Sequence, residues 1–128
     1  MPENKEADIR TYRDLIVWQK AMDLAESVYA ATASFADSER HGLTAQMRRA
    51  GVSVASNIAE GFGRGRKAEF KRYLEMARGS LFELQTQGEL ARRLGWIQGK
   101  VLSKLRDGTQ EVDRLLSGLM RSVKRRSD

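Results

Sequence analysis

A chain of 128 residues that is 41% hydrophobic and 31% charged, with net charge +6, is sized and balanced for one soluble domain with its own core. It has no cysteine, which excludes a disulfide framework, a thiolate metal site and a cysteine nucleophile. No run approaches the roughly 20 apolar residues that span a bilayer, and the polar start MPENKEADIRTYRD lacks the apolar stretch of a secretory signal, so a cytoplasmic protein without membrane contact is expected.

Helical periodicity organises the chain. A first helix is expected at about 15–33, with Asp14 as N-cap; Val17, Ala21, Leu24 and Val28 recur at spacings of four and three, and Trp18, Met22, Ala25 and Tyr29 widen the stripe. After the polar turn SFADSERHG comes a second helix at about 43–61, with Leu43, Met47, Ala50, Val54 and Ile58 on one face. Gly61 reads as its C′ residue, because glycine takes positive φ without a Cβ penalty. The third helix, about 67–94, carries the cleanest seam: Phe70, Leu74, Ala77, Leu81, Leu84, Gly88 and Ala91, with Gly95 as the stop. A fourth, about 99–124, aligns Leu102, Leu105, Val112, Leu116, Leu119 and Val123, with Thr109 as a weaker member.

Four amphipathic helices with short joints predict an all-α, antiparallel up-down-up-down four-helix bundle, a single domain over 1–128 with a polar arm at 1–13 and a basic tail at 124–128. Gly79, Gly88, Gly108 and Gly118 fall inside predicted helices at a cost of about 1 kcal/mol each against alanine, so they mark either close helix approach or local looseness.

Charge is distributed unevenly. Residues 1–40 hold 5 cations and 8 anions, 41–72 hold 7 and 2, 73–113 hold 6 and 6, and 114–128 hold 5 and 1. The excess sits at one internal corner, Arg64, Arg66, Lys67, Lys71 and Arg72, and at the end, Lys124, Arg125 and Arg126. That pattern suits a polyanionic partner, against the plainer alternative of a solvated basic surface.

The chemistry of catalysis is not written here. His41 is the one histidine and has no metal-ligand partner at useful spacing, so no metal is expected; a Ser-His-Asp triad would need the same residue. Glu69, Glu75, Glu83 and Glu89 lie on a single helix and cannot flank a cleft as acid and base. The stretch Gly61-Phe62-Gly63-Arg64-Gly65-Arg66 imitates a nucleotide fingerprint, but Arg66 stands where the last glycine belongs and no strand precedes it; nor is it a P-loop. The glycines read as turn residues. The cations that follow oppose the dipole at a helix N-terminus, where free N–H groups favour an anion. Trp18, Trp96, Phe62, Tyr12 and Tyr73 read as core or interface anchors rather than base-stacking platforms. Neither an enzyme nor a cofactor site is expected.

Three stretches, YRDLIVWQKAMDLAESVY (Tyr12–Tyr29), GLTAQMRRAGVSVASNIAEGFGR (Gly42–Arg64) and EFKRYLEMARGSLFELQTQ (Glu69–Gln87), together resemble the bacterial four-helix-bundle proteins first noticed as reading frames inside 23S ribosomal RNA intervening sequences. The resemblance implies an up-down bundle that assembles as a ring-like homo-oligomer, a homopentamer in known members. A related branch is the basic, nucleic-acid-binding accessory protein of diversity-generating retroelements, whose partner is a reverse transcriptase. The family motif falls on Arg49, Ser53, Asn57, Glu60, Gly61, Ser80 and Glu83, together with Ala50, Glu69, Phe70, Tyr73, Leu74, Gly79, Leu81 and Leu84. These residues form either a functional surface or, the preferred reading, a structural network near the joint of the second and third helices. One departure stands out: Gly65-Arg66 occupies the place where family members often carry a serine-like cap.

The resulting expectation is a non-enzymatic oligomeric accessory protein that binds RNA or DNA phosphates through its basic corner, with the C-terminal cations as a second site. The alternative is a protein-interaction scaffold with no direct nucleic-acid role.

Overall fold

The computed structural model describes residues 9–125. A 3-10 turn at Tyr12–Asp14 leads into α1 (Ile16–Thr32); a second, Asp37–Glu39, precedes α2 (Leu43–Gly63), followed by α3 (Lys67–Arg93) and α4 (Gly99–Arg125). Helices adjacent in the chain pack antiparallel, and α4 closes the square against α1. This is the up-down-up-down four-helix bundle that the four apolar stripes call for.

The core forms where those stripes meet. Leu24 and Val28 of α1, Met47, Val54 and Ile58 of α2, Leu74, Leu81 and Leu84 of α3, and Val112 and Leu116 of α4 are buried. Burying each such side chain contributes on the order of 1.5–3 kcal/mol. The α3 seam is buried from Leu74 to Ala91, while Phe70 stays half-buried and meets Phe62 edge to face, ring centroids 5.9 Å apart. Thr109, the weak member of the α4 seam, is buried and donates its hydroxyl hydrogen to the Arg106 carbonyl at 2.9 Å.

Three local expectations are corrected. Asp14 does not cap α1. Its carboxylate accepts the N–H groups of Arg10 at 2.8 Å and Thr11 at 3.0 Å, closing a capping box on the preceding 3-10 turn. Those two bonds hold its carboxyl below the usual range. Gly61 does not end α2: the helix runs on to Gly63, and the first left-handed residue is Gly65 at φ +76. Gly61 instead lies at the crossing with α3, where a Cβ would stand 2.5 Å from the Tyr73 Cβ. Finally, Met22 and Tyr29, read as part of the α1 stripe, are 42% and 48% exposed, because that stripe is wider than the two neighbouring helices can cover.

Candidate functional site

The joint of α2 and α3 is built around Tyr73. Its ring is buried at the foot of α3, and its hydroxyl accepts a hydrogen bond from Arg64 Nη2 at 2.8 Å. The Arg64 guanidinium also lies 5.2 Å from the ring centroid, and Arg72 approaches the same ring at 5.5 Å. One of the five corner cations is therefore tied across the turn. Arg66 is the N-cap of α3 in extended conformation without a side-chain cap, as the absent serine implies. Its side chain is 82% exposed, 3.7 Å from Glu69, a loose contact worth little in water. Lys67 and Lys71 are half-buried and Arg72 is exposed; neither lysine has a carboxylate partner among the described residues.

Helix register brings Lys124, in the last turn of α4, to the same end. Arg78 Nε on α3 donates to Asp113 Oδ1 on α4 at 3.0 Å. From that pair the antiparallel helices advance equally, about 1.5 Å per residue, so position 124 comes within about one turn of position 67. Lys124 is exposed in the last turn of α4. The side chain of Arg125 and all of Arg126 lie outside the described residues. Arg10 and Arg13 enter at this end as well, just before α1.

The motif residues divide into two groups. Ser53 Oγ and Ser80 Oγ are 2.8 Å apart across the α2–α3 seam, and Asn57 Nδ2 donates to Ser53 O at 2.9 Å and Ser53 Oγ at 3.0 Å. With Gly61, these form a polar clamp at the tightest helix pair. The side chains of Arg49, Glu60 and Glu83 are solvent-exposed without a hydrogen-bond or ion-pair partner among the described residues.

Two features escaped the sequence. The first is a groove of about 550 Å³ between α1 and α2, floored by Ala25, Ala55 and Ala59 and walled by Tyr12, Trp18, Met22, Tyr29 and Val52. The exposed outer half of the widened α1 stripe was its only signal. The second is the set of arginines in 73–113, a segment whose zero net charge concealed them. Glu89 is held by Arg92 at 2.8 and 3.0 Å, by Arg93 at 3.0 Å and by Arg106 of α4 at 3.5 Å. Hydrogen bonds from Arg92 and then Arg93 hold the Glu89 carboxyl down to about 2. One carboxylate is thus shared by three guanidiniums.

Among the described residues no group of three or more His, Asp or Glu side chains could hold a metal ion, and no helix is long and apolar enough to cross a membrane.

Residues 13–118 match the family described as 23S rRNA-intervening sequence protein. The chain belongs to that family. A crystal structure from Bacteroides thetaiotaomicron, described as a protein with unknown function from the S23 ribosomal protein family, superposes with a TM-score of 0.73 at 21% identity. The likeness covers 82% of this chain and 98% of that one, and at that identity it speaks for the fold. No functionally curated protein matches the chain.

Proposed function

We propose that this family member is a self-associating accessory protein of the cytoplasm that holds nucleic acid by its phosphates at the basic end of the bundle. The observation that carries the reading is the approach of Lys124, remote in sequence, to the α2–α3 corner through the Arg78–Asp113 register. Lys67, Lys71, Arg72 and Lys124 supply charge free of carboxylate partners among the described residues, and Arg66 adds to it across a loose contact with Glu69. Arg64 serves the fold first, through Tyr73. Lys and Arg contacts of this kind bind phosphate without reading bases, so affinity falls steeply with salt and varies little with sequence.

The α1–α2 groove supports self-association. Its contiguous exposed aromatic and aliphatic side chains are of the kind that mark an interaction surface. It faces away from the α3–α4 side, so a second copy can cover it and leave that side free. Several basic ends in one assembly would act together and compensate for weak single contacts. The resemblance to retroelement accessory proteins suggests a reverse transcriptase as the enzyme such an assembly would serve.

The test is binding to a fluorescent structured RNA and a duplex DNA across a salt series, with mass from light scattering on the same samples. The reading requires a multimer with a steep salt slope, weakened alike for all sequences by Arg66→Glu with Lys67→Glu. It further requires that Met22→Asp with Val52→Asp reduce the mass to one chain. A multimer that binds no nucleic acid at low salt overturns the phosphate role and leaves the protein-interaction scaffold, for which the groove is the docking surface.

A further inference from the structure

We infer that the α3–α4 face binds nucleic acid along the whole length of the bundle, and binds it as a double helix; this rests on the reading of the basic end as a phosphate contact and extends it. Lys71, Arg78 and Arg92 recur on α3 at intervals of seven and fourteen, with Gln85 between the last two, so they share one side of the helix. That this side faces α4 is fixed by two cross-helix pairs, Arg78–Asp113 at 3.0 Å and Glu89–Arg106 at 3.5 Å. On α4, Arg114 and Arg121 continue the ridge that begins at Gln110, a residue lining the shallow cleft between the two helices. The result is a straight double row of cations reaching from the basic end to the opposite end of the bundle.

Two of the acids within this face are already engaged. Asp113 takes Arg78, and Glu89 takes Arg92, Arg93 and Arg106, so two carboxylates face four guanidiniums. The arginines remain accessible: Arg78, Arg92 and Arg106 are 40%, 42% and 54% exposed, and each keeps N–H donors beyond those in its pair. Arg114 and Arg121 are exposed with no partner among the described residues. Glu75 of α3, one turn from both Lys71 and Arg78, and Asp107 of α4, seven residues before Arg114, share this face, exposed and unpaired among the described residues, and leave it an excess of cations.

Length and chemistry select the double helix. From Lys71 to Arg92 the row spans about 31 Å at 1.5 Å per residue, roughly nine base pairs of duplex at 3.4 Å each. Single strands are held by a basic groove combined with aromatic rings on which successive bases stack. The aromatics here are elsewhere: Tyr12, Trp18 and Tyr29 line the α1–α2 groove, and Trp96 packs on Phe35. Phe82 alone borders the row among the described residues, and Arg78 covers it at 5.0 Å. A rigid rod of regularly spaced charge fits a rigid rod of phosphates.

The experiment is fluorescence anisotropy with the full chain, using 12-base-pair RNA and DNA duplexes and a single strand of equal length. The variants are Arg114→Glu with Arg121→Glu, and separately Arg66→Glu with Lys67→Glu at the corner. The expected result is tighter binding of duplex than of single strand. The Arg114/Arg121 variant should lose on the order of tenfold or more in duplex affinity and about two from the salt slope. Its thermal unfolding should be unchanged, because neither side chain pairs within the fold. Unchanged duplex binding in this variant, with loss in the corner variant, overturns the inference and leaves the basic-end reading standing. Equal binding of single strand and duplex also overturns it, as does equal competition by vesicles of anionic lipid. Loss in the Arg114/Arg121 variant with an unaffected corner overturns the basic-end reading instead.

Discussion

Gly61 and Tyr73 meet where α2 crosses α3, and a methyl group on the glycine would stand 2.5 Å from the tyrosine Cβ. The obstacle is the stem of a buried side chain, fixed to its helix, and cannot swing aside. Gly61→Ala gains about 1 kcal/mol in helix propensity but incurs overpacking of about 1–3 kcal/mol. The clash is expected to win, lowering the unfolding midpoint by several degrees in a thermal melt. A midpoint equal to or above that of the wild type would show that the crossing is looser than described.

The same substitution has the opposite sign one helix away. Gly79 lies in the exposed middle of α3, and a Cβ there meets nothing within 4 Å. Gly79→Ala should therefore stabilise the chain by about 0.5–1 kcal/mol. A destabilised variant would mean that a partner helix approaches this position in the assembled protein, which a concentration series would reveal.

Ser53 and Ser80 are coupled across the seam. Their hydroxyls are 2.8 Å apart, and Asn57 completes the chain. A double-mutant cycle with Ser53→Ala and Ser80→Ala should return an interaction energy of about 0.5–1.5 kcal/mol. Additive effects would remove the clamp from the account of this joint.

Glu89 makes stability depend on acid. Its carboxyl is held down to about 2 by Arg92 and Arg93, below the ordinary value of 4.5 that it regains on unfolding. The folded value is the lower one, so the contribution is fully present above about 4.5 and is lost as pH falls towards 2. The stability difference between wild type and Glu89→Gln, from urea melts, should shrink across that window and be smaller in high salt, since the cluster is exposed. A difference that stays constant through the window would remove Glu89 as the acid-sensitive group.

Much of the bundle was legible because each helix announces itself locally. The α3 seam needs only residues three and four apart, and Leu74, Leu81 and Leu84 are buried where that spacing puts them. Terminal details were harder. Asp14 and Gly61 are residue types that cap helices, but where a helix ends depends on what crosses it. Tyr73 made Gly61 a contact point, and Thr11 drew Asp14 into an earlier turn.

The sequence alone determined four helices, the faces they bury, the absence of cysteine chemistry and the basic balance of the chain. These follow from composition and from a period of 3.6 residues, which short-range sterics impose. Only the tertiary structure decided which charges remain available. Arg64 is tied to Tyr73, Asp113 is matched to Arg78, and Glu89 is shared by three arginines. Electrostatic partnership depends on distance in space, and the antiparallel register sets that distance for residues far apart in the chain. Segment 73–113, neutral when its charges are counted, thereby presents a row of accessible guanidiniums, because Glu89 and Asp113 are drawn into pairs while the long arginine side chains keep donors turned to solvent.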